Sequence, residues 1–168
     1  IALNLKGLEY ASLPVNLVAN EQRDADYLAV NPLGLVPALA TAEGELLTQS
    51  VAILEWLEEE YPQPALLPAD ALGRARVRAM VQTVACDIHP LNNLRVQRYL
   101  VDMLGVSEEA KLGWYHHWIA LGFAALEQRC HGFLSSLDRP SVLVTHGITS
   151  RMLRAIATGK TRENMEEM

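Results

Sequence analysis

The chain has 168 residues, half of them hydrophobic and a fifth charged, which is enough for one globular domain or two small ones. Its net charge of −6 disfavours nucleic-acid binding, because an acidic surface repels phosphate backbones. The two cysteines, Cys86 and Cys130, form neither a metal-ligand spacing nor a disulfide framework, which favours a reducing, cytoplasmic compartment and predicts no metal site. No apolar run reaches the length of a membrane span, so no membrane partner is expected.

The first thirty residues predict short and irregular elements. Residues 1–6 read as the last turns of a helix that Gly7 ends, and we therefore expect the chain to begin inside an element. Residues 8–17 predict a strand, with Pro14 favouring an edge or a bend. Residues 19–30 predict a loop or a short helix.

A hairpin and a helix follow. Residues 36–41 and 45–48 read as two short strands around the turn at Glu43-Gly44. Residues 51–61 predict a helix ended by Pro62. Its expected apolar face consists of Val51, Leu54, Leu57 and Tyr61.

The middle of the chain predicts a helical bundle. Three prolines within 62–70 indicate a linker. Apolar residues recur every three or four positions through 71–104, where Pro90 should produce a kink. A second long helix is expected over 107–130, capped by Ser107. Its predicted buried face consists of Trp114, Trp118, Leu121 and Ala125.

The pattern changes after that helix. Residues 134–147 predict a turn and a buried strand, and 148–158 predict a short helix that Gly159 ends. A strand followed by a helix, after a purely helical stretch, indicates a change of structural class.

The Val36-Pro37 step is the first candidate for function. A proline that opens a strand is the ordinary interpretation. About one X-Pro bond in twenty is cis. A cis-proline would expose the backbone N–H and C=O of Val36 as a strand edge for an extended peptide ligand.

Gln49-Ser50, directly before the helix, is the second candidate. The simpler interpretation is an N-cap, in which the serine oxygen accepts a backbone N–H. The alternative is an anion site, because a helix N-terminus carries partial positive charge and both side chains can donate to a carboxylate. A peptide could occupy both places if its α-carboxylate reached the helix start.

Five stretches together resemble the zeta-class glutathione transferases over about residues 1–130. They are NPLGLVPAL, LLTQSVAILEWLEEEYP, LLP, RARVRAM and CDIHPLNNLRV, the last being the most specific for the zeta branch. The resemblance implies a thioredoxin-like domain joined to a helical domain. It further implies that Val36, before a cis Pro37, pairs with the cysteinyl backbone of glutathione. Gln49 and Ser50 would take the γ-glutamyl end.

The third candidate is the polar group of Asp87, His89, Asn93 and Arg95. On a continuous helix, His89 and Asn93 are four residues apart and share a face. The ordinary interpretation is a kinked helix whose polar groups satisfy one another. The resemblance implies that His89, Asn93 and Arg95 line a site where they contact glutathione or an acidic substrate. We interpret Cys86 as a packed thiol and His116-His117 as surface residues.

Residues 132–168 resemble the C-terminal part of histidine phosphatases of the phosphoglycerate mutase type. The resemblance rests on VLVTHG, where His146 and Gly147 follow a predicted buried strand, and on Arg151. The Arg-His-Gly motif that supplies the phosphorylated histidine of that family is not in this sequence. We therefore expect no phosphatase activity and interpret the tail as a fused fragment.

The zeta-class family activates the thiol of glutathione with a serine that lies before the first helix. We expect that serine upstream of Ile1, so no catalytic residue is assigned within the chain. A thiol without such help, with a pKa of about 8.5, is mostly protonated at neutral pH.

The overall prediction is an α/β plus all-α chain in four parts. They are a partial thioredoxin-like domain at 1–61, a linker at 62–70, an incomplete helical domain at 71–131 and a strand-helix fragment at 132–168. The resemblance implies a cytoplasmic, homodimeric cis-trans isomerase that uses glutathione and a small unsaturated dicarboxylic acid of the maleylacetoacetate kind, impaired by truncation. The alternatives are a non-catalytic glutathione-binding remnant and a histidine-phosphatase-like protein.

Overall fold

The computed structural model describes residues 1–135, with side chains through Glu127, and divides the chain into two compact units. The first unit is Ile1–Leu66 and the second begins at Leu67, a boundary that falls within the linker expected at 62–70. The predicted strand and helix between 136 and 168, with His146, Gly147 and Arg151, lie outside the described residues.

The first unit combines short helices with one hairpin. Its elements are helix α1 (Ala2–Leu5), a 3₁₀ turn (Glu21–Arg23), helix α2 (Ala25–Val30), strands β1 (Ala38–Ala40) and β2 (Leu46–Thr48), and helix α3 (Ser50–Glu60). The strands are antiparallel, and Ala38 faces Thr48 across the pair. The predicted hairpin is confirmed, and Gly44 takes the left-handed conformation, at a φ of 88°, that its turn requires. The helix end that we expected at 1–6, stopped by Gly7 at a φ of 68°, is confirmed as well.

The strand predicted over residues 8–17 is wrong. Within residues 1–135 the one sheet is the β1–β2 pair, so no strand offers hydrogen bonds to this segment. At its end, the side-chain oxygen of Asn16 accepts hydrogen bonds from the backbone N–H groups of Val18 and Ala19, at 3.0 and 3.1 Å. Such a local turn competes with extended pairing.

Helix α3 packs the core of the first unit. Ala2, Ile53 and Leu57 are its buried residues. Of the predicted apolar face, Leu57 is buried and Leu54 packs against this cluster, whereas Tyr61 is 38% exposed. Ile53, which was not part of the predicted face, is buried in this cluster with Ala2 of α1, whereas Val51 does not belong to it.

A buried ion pair holds the C-terminal end of α3. Lys6 donates to a carboxylate oxygen of Glu58 at 2.9 Å, and also to the backbone carbonyls of Tyr61 and Pro64. Both oxygens of Glu58 accept from the backbone N–H of Leu66, at 3.1 and 2.9 Å. The helical pattern did not predict that Glu58 is buried, because Glu58 is not one of the residues of the predicted apolar face.

Within the described residues, every regular element of the second unit is a helix. It contains α4 (Ala71–Gln82), a π-helical segment (Thr83–Ile88), α5 (His89–Asn92), α6 (Leu94–Asp102) and α7 (Glu108–Ser135). The disturbance expected from Pro90 therefore extends to both sides of it. The π segment precedes Pro90, which has no N–H for an α-helical bond, and the helix breaks at Asn93, whose ψ is 161°.

Within the described residues, Ile88, Phe123 and Leu126 form the buried apolar cluster of the second unit. The predicted face of α7 is partly wrong, because Leu121 is 57% exposed and Ala125 is also exposed. Trp114 and Trp118 lie at the border of the buried face of α7. A face predicted from their positions is therefore offset from the observed one, which contains Phe123 and Leu126. Gly122 allows the close approach of α7, since a Cβ at this position would overlap the Ile88 side chain.

No helix within the described residues is long and apolar enough to cross a membrane.

Candidate functional site

The hairpin register brings the Val36-Pro37 step and the Gln49-Ser50 pair to the same end of the hairpin. Ala38 pairs with Thr48, so Pro37 directly precedes one end of the paired segment and Gln49 directly follows the other, before Ser50 begins α3. The Thr41–Glu45 turn lies at the other end of the hairpin, where the two residues share a backbone hydrogen bond of 2.8 Å. Neighbouring antiparallel strands lie about 5 Å apart, a distance that one small peptide can bridge.

Val36 offers an open backbone edge. The Val36-Pro37 bond is cis, as the resemblance implied, and Val36 is 41% exposed. The preceding carbonyl, that of Leu35, accepts hydrogen bonds from the Tyr27 hydroxyl and the Asn31 side chain, both at 2.7 Å. Within residues 1–135, no hydrogen bond occupies the N–H or C=O of Val36 itself.

The start of α3 differs from the simple N-cap that we considered for Ser50. Gln49 is the N-cap residue, Ser50 is the first residue of the helix, and neither side chain caps it. Gln49 has a φ of 70°, which an L-residue adopts at a cost and which is found mainly at functional positions. Both side chains are exposed and have no hydrogen-bond partner in the described part of the chain. The helix start therefore keeps its partial positive charge and two polar side chains available for an anion.

Gln22 is a polar residue near this site that the sequence did not indicate. It is 8% exposed, and its side-chain nitrogen donates to Asn20 at 3.0 Å. Its side-chain oxygen is buried and accepts no hydrogen bond from the described residues. Its backbone carbonyl lies against Gly34, where a Cβ would be only 2.8 Å away. A buried amide in a polar 3₁₀ turn has no periodic pattern, so only the structure identifies it.

The second unit carries His89, Asn93 and Arg95. The helix face that we expected His89 and Asn93 to share is wrong, because the chain leaves helical geometry at Asn93. Asn93 accepts from the backbone N–H of Val96 at 3.0 Å and donates to the carbonyl of Pro90 at 3.2 Å. His89 and Arg95 are exposed.

Two further residues near this group are Cys86 and Trp114. Cys86 is exposed rather than packed, and its thiol lies 3.0 Å from the side-chain oxygen of Gln82. Trp114 donates from its indole nitrogen to the carbonyl of Leu91 at 2.8 Å, which fixes the short helix between the π segment and the break.

Comparison with known proteins agrees with this geometry. A family model described as the N-terminal domain of glutathione S-transferases matches residues 1–60. Maleylacetoacetate isomerase of Rhizobium meliloti is 44% identical over 151 residues, covering 84% of this chain and 68% of that protein. Maleylacetoacetate isomerase of Pseudomonas aeruginosa is 56% identical over 130 residues, covering 76% of this chain and 61% of that protein.

Solved structures show the same relationship. The maleylacetoacetate isomerase from Methylobacterium extorquens, with malonate and glutathione bound, superposes with a TM-score of 0.77 at 38% identity. The alignment covers 94% of this chain and 74% of that one. A maleylpyruvate isomerase of the zeta class gives a TM-score of 0.75 at 41% identity. The first unit is thus a thioredoxin-like domain and the second a helical domain of the glutathione transferase type.

The chain belongs to the zeta-class glutathione transferases, the family of the maleylacetoacetate and maleylpyruvate isomerases. It spans about three-fifths of the length of the Pseudomonas protein and of a maleylpyruvate isomerase from Ralstonia.

Proposed function

We propose that the chain binds glutathione in its first unit and serves a glutathione-dependent cis-trans isomerisation of a small unsaturated dicarboxylic acid. The observation that carries the proposal is the uncapped start of α3 beside the open backbone edge of Val36. Two polar side chains without partners, next to two free backbone groups, match the ends of a short peptide. Relatives that are maleylacetoacetate and maleylpyruvate isomerases support the reaction class.

In this proposal each residue has a definite task. The N–H and C=O of Val36 pair with the cysteinyl backbone of glutathione as an added strand would. Ser50, Gln49 and the first backbone N–H groups of α3 hold the γ-glutamyl carboxylate, where the helix dipole favours negative charge.

Bound glutathione supplies a thiol whose ionised form adds reversibly to a double bond and so permits rotation about it. Both carboxylates of the acid substrate then need cationic or hydrogen-bonding partners. We propose His89 and Arg95, exposed on the second unit, for contacts with glutathione or that acid. The resemblance groups Asn93 with His89 and Arg95, but both polar atoms of its side chain already form hydrogen bonds within its own turn. We therefore expect its contribution to be mainly structural.

Three further parts of the hypothesis concern the whole protein. We propose a homodimer in the cytoplasm, with domain limits at 1–61, 71–131 and 132–168. We also propose that residues 132–168 are a fragment of histidine-phosphatase type without activity of its own. Sedimentation analysis tests the dimer. Hydrolysis of a phosphomonoester that is lost in His146→Ala would contradict the inactive tail.

The direct test of the glutathione site is Gln49→Ala. The change removes a donor from a carboxylate site, so glutathione binding should weaken by about 1–3 kcal/mol, measured by isothermal titration calorimetry. Gln82→Ala, at an exposed glutamine of α4, is the matched control and should bind as the original chain does. Equal affinity of the original chain and Gln49→Ala would refute the placement of the γ-glutamyl end.

A further inference from the structure

The carbonyl of Leu35 is held by two side chains, one within α2 and one at its C-terminal end. The Tyr27 hydroxyl and the side-chain nitrogen of Asn31 each donate to this oxygen at 2.7 Å. Both acceptor positions of the oxygen are thereby used. Two short bonds from different positions of the chain fix the orientation of a loop peptide more firmly than one bond would.

The Asn31 side chain has a single favourable orientation. Asn31 is only 3% exposed, and its side-chain oxygen accepts from the backbone N–H of Leu33 at 3.2 Å. Its backbone N–H donates to the carbonyl of Tyr27, and its carbonyl accepts from Gly34, both at 2.8 Å. A flipped side-chain amide would set its oxygen against the Leu35 carbonyl and its nitrogen against the Leu33 N–H, leaving buried groups without partners. The donor to Leu35 is therefore held in place by the loop itself.

The Leu35 carbonyl shares a peptide plane with the N–H of Val36. The bond between these two residues is not among the cis peptide bonds of the described residues. In a planar trans peptide, the C=O and the N–H point in opposite directions. Fixing the carbonyl towards Tyr27 and Asn31 therefore turns the Val36 N–H to the opposite side, where no described residue binds it.

The same two bonds strengthen the Val36 N–H as a donor. A carbonyl that accepts hydrogen bonds polarises its peptide group, and each such bond strengthens the next one in the chain by about 10–30%. The Val36 N–H is thus both oriented and polarised by side chains that lie on the far side of its peptide.

We propose that Tyr27 and Asn31 are positioning residues that direct the Val36 N–H at the cysteinyl carbonyl of glutathione. The inference rests on the proposed function, in which Val36 pairs with the cysteinyl backbone. Neither side chain needs to contact the ligand in this role. Their contribution is confined to one hydrogen bond of the ligand, and this makes it separable by experiment.

The experiment compares two ligands on two tyrosine variants by NMR titration. Tyr27→Phe removes one of the two donors and keeps the ring, so glutathione should bind about three- to fivefold more weakly. γ-Glutamylethylamide keeps the γ-glutamyl end and an amide N–H for the Val36 carbonyl but lacks the cysteinyl carbonyl. The same substitution should therefore change its affinity less than twofold. Tyr10→Phe, at an exposed tyrosine of the same unit, is the matched control and should leave both affinities unchanged.

A second variant tests the other donor. Asn31→Asp keeps an oxygen that can accept from Leu33, but its ionised carboxylate cannot donate to Leu35. Glutathione should bind this variant about tenfold more weakly, because a carboxylate oxygen then faces the carbonyl. If Asn31→Asp does not fold, the Tyr27→Phe result decides.

A further measurement needs no ligand. In isotope-labelled protein, the amide proton of Val36 should resonate upfield of its original position in Tyr27→Phe, because a less polarised N–H is more shielded. It should not move in Tyr10→Phe. An unmoved Val36 resonance in Tyr27→Phe would overturn the proposal whatever the affinities.

The results separate this inference from the proposed function. If the original chain binds neither ligand, the glutathione site itself is wrong, and the role of Tyr27 and Asn31 falls with it. If the original chain binds both and Tyr27→Phe weakens them equally, Tyr27 supports the fold of the unit rather than the Val36 N–H. Unchanged glutathione affinity in Tyr27→Phe would likewise refute the positioning role.

Discussion

The starts of helices α3 and α6 carry similar polar side chains but use them differently. At α6, the side-chain oxygen of Asn93 accepts from Val96 at 3.0 Å and so satisfies one of the free N–H groups of its own helix. At α3, Gln49 and Ser50 make no such bond, and Gln49 adopts a φ of 70°. Both places were predicted to contact a ligand from their sequence. Only the start of α3 leaves its polar groups available for one.

Two other helix starts follow the pattern of α6. Asp70 accepts from Gly73 at 2.7 Å at the start of α4, and Ser107 accepts from Ala110 at 3.2 Å at the start of α7. A helix that caps itself gains about 1 kcal/mol of stability. The start of α3 lacks this stabilisation, and the backbone of Gln49 is strained as well. Strain of this kind persists when the surroundings impose it, and it is concentrated at binding sites.

The largest expected effect on stability concerns the C-terminal end of α3, where the buried polar side chains have partners within the chain. Lys6→Met removes the partner of Glu58 and leaves a buried carboxylate, so the free energy of unfolding should fall by about 3–5 kcal/mol. Urea denaturation measures it.

Lys111→Met, which breaks the exposed pair with Glu108, is the control for Lys6→Met and should cost at most about 1 kcal/mol. Equal losses in the two variants would mean that the buried pair does not stabilise α3.

An intermediate effect is expected at Asn93. Asn93→Ala removes the cap of α6 and should lower the free energy of unfolding by about 1 kcal/mol, while glutathione affinity stays unchanged. Asn93→Asp keeps the accepting oxygen and should retain most of the stability. A tenfold loss of glutathione affinity in a folded Asn93→Ala protein would contradict the contrast between the two helix starts.

The smallest effect on stability is expected at Ser50. Ser50→Ala removes no cap and should change the free energy of unfolding by less than about 0.5 kcal/mol, while glutathione binding weakens. Ser107→Ala removes a cap and should show the reverse, a loss of about 1 kcal/mol of stability with binding intact. If the two serines behave alike in chemical denaturation and calorimetry, the distinction between them is wrong.

Elements with a local cause were predictable. The hairpin at Glu43-Gly44, the helix after Gln49 and the disturbance around Pro90 arise from turn preference, apolar periodicity and a missing N–H. The strand over residues 8–17 was not predictable, since extended backbone becomes a strand only beside another strand. The buried face of α7 was offset because the tryptophans, its most conspicuous apolar residues, lie at the border of the contact with Ile88.

The candidate site likewise contains residues that the sequence identified and a residue that only the structure identified. Val36, Pro37, Gln49 and Ser50 were identified from the sequence, because a proline step and a polar pair before a helix limit the backbone locally. Gln22 was not, because the fold brings its polar turn against Gly34 of a later loop. Composition and periodicity alone determined the two classes of unit, since both follow from burying apolar area. Only the tertiary structure decided which polar groups have hydrogen-bond partners and which are free, because those partners can be distant in the chain.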